Sequence, residues 1–590
     1  MKDFCQDEAP AIFQTASVID CVPTAGAQPA GSVYTLSLKA DKRSVPAAGQ
    51  FFMLRSAKSQ LLLARPISVF SVEILPNPNK IRIEFLILLK GQGTQELCSL
   101  KKGDQVELLG PCGNTFPRPD ENANICLVGG GVGIAPVAGF ASSLLDNSYD
   151  FYASFKSGSY GLQNINAKNL VITTDDGSQG VHGILSAALT ASTLKTKKYT
   201  AVYACGPTPM LRYVQDICRE ANVQCYLSLE QKMACGMGVC LGCTIQTVDG
   251  YKRCCKDGPV FAGQKIIFEE PVRLERREKP STVLLGVDIG GLRLKNPVIA
   301  SSGTFGFGTE YESVFDISKL GGISSKGLTL EPRQGNTGIR VWETPSGLMN
   351  SIGLQNPGIP HFIQEELPQM KKLGCAVIAN LSGSTPESYC EGARLLENSG
   401  VDAIELNISC PNVATGGAAM GMSCQSAGDI TQKIRQIVTK PLIVKLTPQA
   451  SDIAGIALAC KKAGADAISL CNSFQGVAID IERAKPVFDK VKAGFGGPAI
   501  RPIALRLVWE VYEAMSSLPE EERLPIIGIG GIATWRDAVE FIMAGATAVQ
   551  VGTATFANPL AMKQIVEGIE AFMKRKGYRT VKDFCGIAQR

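Results

Sequence analysis

From Ala11 to Val106 apolar and polar residues alternate in short runs separated by Pro and Gly. The clearest are Ser32-Val-Tyr-Thr-Leu-Ser-Leu38, Gln50-Phe-Phe-Met-Leu54 and Lys80-Ile-Arg-Ile-Glu-Phe-Leu-Ile87. A period of two buries one face of each strand, so this stretch predicts a small antiparallel barrel. The pattern then changes. Ile125-Cys-Leu-Val-Gly129-Gly-Gly-Val-Gly133-Ile-Ala-Pro136 is a continuous apolar run that breaks at glycines, which predicts a buried strand, a glycine loop and a helix start. Thr173-Thr-Asp-Asp176 and Tyr203-Ala-Cys205-Gly-Pro207 each read as a strand running into a loop. Residues 271–282 are charged and bounded by prolines, as a solvated tether should be.

Beyond the tether, strand-length apolar runs recur with helical segments between them. They are Pro297–Ser302, Gly322–Lys326, Ala376–Asn380, Ala403–Asn407, Pro441–Lys445, Ala467–Asn472, Pro525–Gly530 and Ala548–Gly552. Eight such units in about 300 residues predict a (β/α)8 TIM barrel. Nearly every run ends in a polar residue or glycine, where such barrels place their chemistry. Ser302, Lys326, Asn380, Asn407, Lys445 and Asn472 should therefore ring one site.

Length and composition narrow the class. The 590 residues suggest several domains, and 45% hydrophobic content is ample for their cores. A net charge of +5 with no basic run gives no nucleic-acid footprint, so small molecules are the expected partners. Twenty cysteines spread through an α/β-type chain whose first residues carry no signal-peptide pattern point to a reducing, cytoplasmic setting. The most membrane-like stretch, Ile125 to Ala141, is interrupted by five glycines and a proline, so no membrane association is expected. With only His182 and His361 in the chain, histidine triads and multi-histidine metal sites are nearly excluded.

The sharpest chemical signal is Cys235-Gly-Met-Gly-Val-Cys240-Leu-Gly-Cys243, followed by Cys254-Cys255-Lys-Asp-Gly-Pro259-Val-Phe261. The spacing C-x4-C-x2-C with a later fourth thiolate suits a plant-type [2Fe–2S] cluster. A zinc site and inert buried cysteines are the competing readings. Upstream, Arg65-Pro-Ile-Ser68 and Lys90-Gly-Gln-Gly93-Thr94 offer an arginine and a helix start suited to a pyrophosphate. In the barrel half, Gly528-Ile-Gly530-Gly531 and Gly552-Thr553 close the last two strands, where barrels commonly cradle a phosphate such as that of FMN. Asn350-Ser-Ile-Gly-Leu354, Asn407-Ile-Ser-Cys410-Pro-Asn412 and Asn472-Ser473 supply amides for a ring with N–H and C=O edges, and Lys326 supplies charge for a carboxylate.

A barrel followed by G-G-x-G-x-x-P and C-G-P resembles the ferredoxin-reductase family over residues 1–228. With the cysteine loop appended, the resemblance narrows to the electron-transfer subunit of type B dihydroorotate dehydrogenase. N-I-S-C-P-N, I-A-N, V-K-L, G-I-G-G and V-G-T are similar to the catalytic subunit of class 1 dihydroorotate dehydrogenase over residues 284–590. The chain thus resembles a fusion of the two subunits, with an FAD-binding barrel (1–118), an NAD-binding α/β domain (119–228), a cluster domain (229–270), a linker (271–283) and an FMN-binding barrel (284–590).

The resemblance implies FAD on Arg65, Pro66, Ile67, Ser68, Gly93 and Thr94. It implies NAD at Gly129, Gly130, Gly131, Gly133, Cys205 and Gly206, and a [2Fe–2S] cluster on Cys235, Cys240, Cys243 and Cys255, selected over Cys254 by its distance from the Asp-Gly-Pro-Val-Phe run. FMN would meet Ser302, Lys326, Gly327, Asn380, Asn407, Lys445, Cys471 and Gly497, with Gly530, Gly531, Gly552 and Thr553. Dihydroorotate or orotate would meet Lys326, Asn350, Ser351, Ile352, Gly353, Leu354, Asn407, Asn412, Asn472 and Ser473, with Cys410 as base assisted by Lys326. A homodimer through the TIM barrel follows by analogy.

The implied reaction is oxidation of dihydroorotate in pyrimidine biosynthesis, with electrons passing from FMN through the cluster and FAD to NAD. A dihydropyrimidine dehydrogenase-like reductase is the nearest alternative enzyme, although the C-x2-C-x2-C-x3-C-P runs of [4Fe–4S] clusters do not occur. An electron-transfer module serving an external protein is the alternative of another class. The residues leave NAD against NADP open, because Phe155-Lys156-Ser-Gly lacks an acidic residue for a ribose 2′-OH.

Overall fold

The structure, a computed structural model, describes residues 11–120, 123–268, 280, 282–409 and 420–590. The chain divides into two compact units, Met1–Val272 and Arg273–Arg590. Most of the expected linker, 271–283, lies outside the described residues.

The first unit opens with a closed antiparallel barrel of Ile12–Pro23, Val33–Asp41, Phe51–Ser56, Arg65–Ile74, Lys80–Leu88 and Gln105–Cys112. Its inward positions, Leu36, Leu38, Phe52, Leu54, Ile81, Ile83, Phe85 and Ile87, are the alternate residues of the runs read from the sequence, and they form one core. Next comes a sheet built outward from Ile125–Gly130 through Tyr149–Phe155, Asn169–Thr174 and Val181–His182. The chain then returns to the other side of Ile125–Gly130 with Ala201–Cys205 and Gln224–Ser228. That reversal makes a topological switch point between Ile125–Gly130 and Ala201–Cys205, where the carboxyl ends of the two strands part. Val260–Ala262 adds an antiparallel edge beside Gln224–Ser228. The Asn114 side chain brackets it, donating to Val260 O at 2.9 Å and accepting from Val260 N at 3.0 Å.

The second unit is a closed eight-stranded parallel barrel. Its strands are Val298–Ala300, Gly322–Ser324, Ala376–Leu381, Ala403–Asn407, Leu442–Lys445, Ala467–Leu470, Ile526–Ile529 and Ala548–Val551, in chain order around the ring. Each coincides with one of the eight apolar runs: Ala403–Asn407 is unchanged, Ala376–Asn380 gains Leu381, and the other six are trimmed by one or two residues at one or both ends. Alternation sorts the side chains: Ile404 and Leu406 pack outward into the main helical core, while Ala403 lies in a separate inner cluster. The hairpin Val287–Ile289/Leu292–Leu294 contributes Ile289, Leu292 and Leu294 to that inner cluster, plugging the barrel at the strand starts. A four-stranded antiparallel sheet, Val341–Thr344, Gly347–Asn350, Lys492–Gly496 and Phe474–Val477, is inserted in the connections after the second and sixth barrel strands. This insert was not expected from the apolar pattern. Among the described residues no helix is long and apolar enough to cross a membrane.

Candidate functional site

The barrel interior is polar near the strand ends. Glu405, fully buried on the fourth strand, accepts from Ser324 Oγ at 2.8 Å and Asn380 Nδ2 at 2.6 Å on one oxygen. Its other oxygen accepts from Ser469 Oγ at 2.9 Å and Gln550 Nε2 at 2.7 Å. Burial alone would push this carboxyl up. Lys445 and the donors from Ser324, Asn380 and Gln550 outweigh that and hold it below the usual carboxylate value, so it is an anion. Asn380 Oδ1 in turn accepts from Asn407 Nδ2 at 3.0 Å. Asn407 Oδ1 accepts from Ser409 Oγ at 2.9 Å and from Asn472 Nδ2 at 3.5 Å. Asn472 also donates to Ser409 Oγ at 2.9 Å and accepts from Ser473 N at 2.8 Å.

The inserted sheet brings in the next residues. Asn350 Nδ2 reaches Gly494 O at 3.4 Å, and a Cβ on Gly494 would stand 2.5 Å from Ser473 Oγ and 3.3 Å from Asn350 Nδ2, so Gly494 lets the two polar groups converge. Ser351 is buried and accepts from Asn336 Nδ2 at 3.0 Å. Gly353 and Leu354 follow with positive φ of 78° and 56°, a tight turn against Asn336. Gly327, after Lys326, packs against Leu354, Asn380 and Ser382, and a Cβ there would lie 2.8 Å from Leu354.

Lys445 is 4% exposed, and its counter-charge is the buried Glu405, although among the described residues no salt bridge closes on it within 4.0 Å. The buried Ser382 hydroxyl makes no hydrogen bond to the described residues. A buried lysine with donors to spare and an unsatisfied hydroxyl suit an electron-rich ring edge or an anion, as FMN offers. Near Lys445, the Cys471 thiol is pushed up to about 12 by burial, which the lysine only partly offsets, so it is a neutral thiol. At the last two strands Gly530 and Gly531 hold φ of 130° and 72°, and a Cβ on Gly531 would sit 2.7 Å from the backbone N of Arg501. Gly552 lies beside Ser301 and Thr304, in the turn that follows the first strand and holds Ser302. Gly497, at φ 100°, backs onto Gly347 of the insert.

In the first unit the cysteines gather as two pairs, with the Cys235 thiol against Cys240 and that of Cys243 against Cys255. Backbone N–H groups aim at the sulfurs. Met237 N and Cys240 N lie 3.4 Å from Cys235 Sγ, Gly238 N lies 3.1 Å from Cys255 Sγ, and Cys255 N lies 3.4 Å from Cys243 Sγ. Gly236, Gly238 and Leu241 take positive φ to turn these groups inward. Burial raises the Cys235 thiol, but the donors from Cys240, Met237 and Val239 prevail and bring it down to about 6. Cys254 differs: fully buried, it donates its thiol hydrogen to Leu229 O at 3.2 Å and is pushed well up, chiefly by burial. Among the described residues no three ligating side chains close on one ion. Two sulfur pairs suit two irons.

The nucleotide residues also converge. Gly129 pairs with Cys205 across the switch point, and a Cβ on Gly133 would lie 2.6 Å from Gly206 Cα. One on Gly130 would lie 2.5 Å from Met210 Sδ, whereas one on Gly131, at φ 53°, would meet only the Tyr160 hydroxyl at 3.8 Å. On the small barrel, Arg65, Pro66, Ile67 and Ser68 pair with Leu54, Met53, Phe52 and Phe51. The Arg65 guanidinium lies across Gly93, where a Cβ would be 2.2 Å from its Nε, and its Nη1 donates to Leu63 O at 2.6 Å. The Thr94 hydroxyl accepts from Lys90 N at 2.9 Å and Gly91 N at 3.0 Å, so it caps the short helix rather than standing open.

Residues 284–573 match the family model for dihydroorotate dehydrogenase. Residues 230–267 match that for the iron-sulfur cluster binding domain of dihydroorotate dehydrogenase B. The catalytic subunit of dihydroorotate dehydrogenase B (NAD(+)) from Petrotoga mobilis is 52% identical over 301 residues, 51% of this chain and 98% of that one. The chain belongs to the dihydroorotate dehydrogenase family. Its relatives include the subunit of the same name from Caldicellulosiruptor saccharolyticus, 49% identical over 302 residues, 51% of this chain and 98% of that one. Another, from Parabacteroides distasonis, is 46% identical over 303 residues, 51% and 97%.

Against this family background, the structure links Asn380, Asn407, Asn472 and Ser473 by hydrogen bonds, with Lys445 on the strand beside Asn407 and Asn350 bonded to Gly494 O. Cys410 and Asn412 lie outside the described residues. Sequence reasoning missed Glu405, Ser324, Ser469 and Gln550. The signal was present: Ala403-Ile-Glu-Leu-Asn407 and Ala548-Val-Gln-Val551 each put a polar residue at a strand position that should face the barrel interior.

Proposed function

We propose that the chain oxidises dihydroorotate to orotate and delivers the electrons to NAD, joining in one polypeptide the catalytic and electron-transfer parts of a type B enzyme. The single observation that carries the reading is the polar chain at the barrel strand ends, Glu405–Asn380–Asn407–Asn472, next to the buried Lys445, in a member of this family. In this reading FMN occupies the strand ends, with Lys326, Asn380, Asn407 and Lys445 around its ring and Gly530, Gly531, Gly552 and Thr553 at its phosphate. Bound there, FMN would supply two-electron chemistry toward the substrate and one-electron chemistry toward the cluster.

The residues do the remaining work. Asn350, Asn407, Asn412, Asn472 and Ser473 hold the substrate's amide edges, and Lys326 meets its carboxylate. Cys410 takes the C5 proton, and the hydrogen at C6 with its electron pair would pass to the flavin that these strand ends would hold. A thiol of ordinary pKa near 8.5 needs a desolvated site to take a carbon-bound proton, and Lys326 assists by stabilising the enolate charge.

Cys235 with Cys240, and Cys243 with Cys255, are the ligands of a [2Fe–2S] cluster. Hydrogen bonds from backbone N–H to thiolate stabilise its negative charge. FAD lies at Arg65, Ser68 and Gly93, and NAD at the crevice between Gly129–Gly133 and Cys205-Gly206. The enzyme is cytoplasmic and homodimeric through its TIM barrel.

Purified chain alone, with dihydroorotate and NAD and no added carrier, should form orotate and NADH in equal amounts. Cys240→Ala should abolish that reaction but leave dihydroorotate oxidation with a dye acceptor. Absence of NADH formation by wild-type protein containing both flavins and iron refutes the reading.

A further inference from the structure

Glu405 touches neither substrate nor flavin in the reading above, yet it is the only carboxylate among the described buried residues of the barrel interior and the start of a directional hydrogen-bond chain. We propose that Glu405 is a positioning residue for substrate recognition: its carboxylate, anchored by four donors, sets the donor–acceptor polarity of the Asn380–Asn407–Asn472 chain. The inference rests on the proposed binding of orotate at these asparagines.

The argument is one of hydrogen-bond inventory. An amide has one accepting and one donating end, and in isolation either end can face a neighbour; an ionised carboxylate only accepts. Asn380 must therefore turn its Nδ2 toward Glu405, which leaves Oδ1 to face Asn407. Asn407 must then donate to Asn380, leaving its own Oδ1 to accept from Ser409 and Asn472. Asn472 is left with Nδ2 directed at Ser409 and Oδ1 accepting from Ser473 N. Asn407 and Asn472 are also held in this sense by backbone donors, Ser409 N at 3.3 Å and Ser473 N at 2.8 Å, so the carboxylate fixes Asn380 and reinforces the two links beyond it. Flipping any member would oppose two donors or two acceptors in a buried site, each mismatch costing the desolvation of an unpaired group.

Lys445, on the neighbouring strand, supplies the opposite charge that keeps Glu405 ionised. A planar substrate with alternating N–H and C=O edges is read by the order of donors and acceptors it meets. The polarity of the chain is therefore specificity, not only stability.

Two substitutions separate polarity from charge. In Glu405→Gln the amide oxygen can stay toward Ser324 and Asn380 while its NH2 faces Ser469 and Gln550. Gln550 can flip because its other partner, Ser301, is a hydroxyl that donates or accepts. Polarity survives. In Glu405→Met no acceptor remains and Asn380 is released.

The measurement is orotate affinity of FMN-loaded protein from the flavin absorbance change on titration, with flavin content determined separately and the KM and kcat for dihydroorotate recorded with a dye acceptor. The expected result is an orotate Kd within about threefold of wild type for Glu405→Gln and at least about tenfold weaker for Glu405→Met, with KM raised more than kcat falls. Wild-type affinity in flavin-loaded Glu405→Met overturns the proposal, as does equal weakening in both variants, which would assign the effect to charge. If Glu405→Met does not fold, Asn380→Ala severs the same chain one link higher. It should weaken orotate to the same degree, and wild-type affinity there overturns the proposal equally. Failure of wild-type protein to bind orotate would instead sink the parent reading.

Discussion

Gly133→Ala tests the nucleotide crevice with little effect on anything else. Gly133 has φ −64°, a conformation open to any residue, so alanine adds no backbone strain there. Its methyl would lie 2.6 Å from Gly206 Cα, 2.7 Å from Gly206 N and 2.8 Å from the Cys205 carbonyl carbon. Carbon atoms rest at about 3.5–4.0 Å, so the two glycine loops must part by about 1 Å. All three obstructing atoms are backbone, and no rotamer change can absorb the displacement. Such overpacking costs about 1–3 kcal/mol, which a unit of this size survives folded. Its effect on a ligand held between the loops is larger, since a 1 Å misplacement costs roughly 100-fold in a positioned reaction. Steady-state oxidation of NADH with an artificial acceptor should show kcat/KM for NADH falling by about 10–100-fold, while dihydroorotate oxidation with a dye stays at the wild-type rate. A folded variant with kcat/KM for NADH within twofold of wild type would show that NAD does not dock between Gly133 and Gly206.

Three further outcomes follow from the same geometry. Cys255→Ala should lose the visible spectrum and iron of the cluster while Cys254→Ala keeps both, because Cys254 spends its thiol hydrogen on Leu229 O; the reverse result in the two spectra would exchange their roles. Cys410→Ala should bind orotate but slow flavin reduction by dihydroorotate about 10²–10⁴-fold in stopped flow, and a rate within a few-fold of wild type removes Cys410 as base. The buried Asp150 carboxyl is raised by desolvation but lowered more by Lys197, Tyr199 and Asn169, so its folded value lies below the ordinary one near 3.9. Its stabilising contribution is present above about pH 4 and lost as pH falls through the folded value. Hydrogen exchange at strand Tyr149–Phe155 should lose this pH dependence in Asp150→Asn, and an unchanged profile refutes the assignment.

The elements most legible in the sequence were those in which one physical requirement dominates. A barrel strand buried on both faces must be apolar over several residues, and all eight runs became strands of one closed ring. The inserted sheet was illegible for the complementary reason. Val341-Trp-Glu-Thr344 and Phe474-Gln-Gly-Val477 are short, part-exposed strands joined through residues more than a hundred positions apart, and their pairing comes from the loops that carry them. The cluster loop was readable because a sulfur-ligated group demands fixed cysteine spacing, and glycine wherever the backbone must turn through positive φ.

The candidate site was legible at its rim and not at its floor. Asn380, Asn407, Lys445 and Asn472 lie within two residues of their strand ends, so an interruption of the apolar pattern marks each. Glu405 interrupts the pattern within a strand, and there the usual expectation for a barrel interior is an aliphatic layer. A carboxylate in that layer is tolerable only if several strands supply donors at the same height. Ser324, Asn380, Ser469 and Gln550 do so from the second, third, sixth and eighth strands. No local window of sequence contains that coincidence, because the residues are up to 226 positions apart (Ser324 to Gln550) and meet only when the ring closes. The polar floor is thus a property of closure. It also explains why the strand-end asparagines can be precise: their orientation is fixed at Asn380, and reinforced beyond it, by a charge placed one layer deeper, where water cannot compete for it.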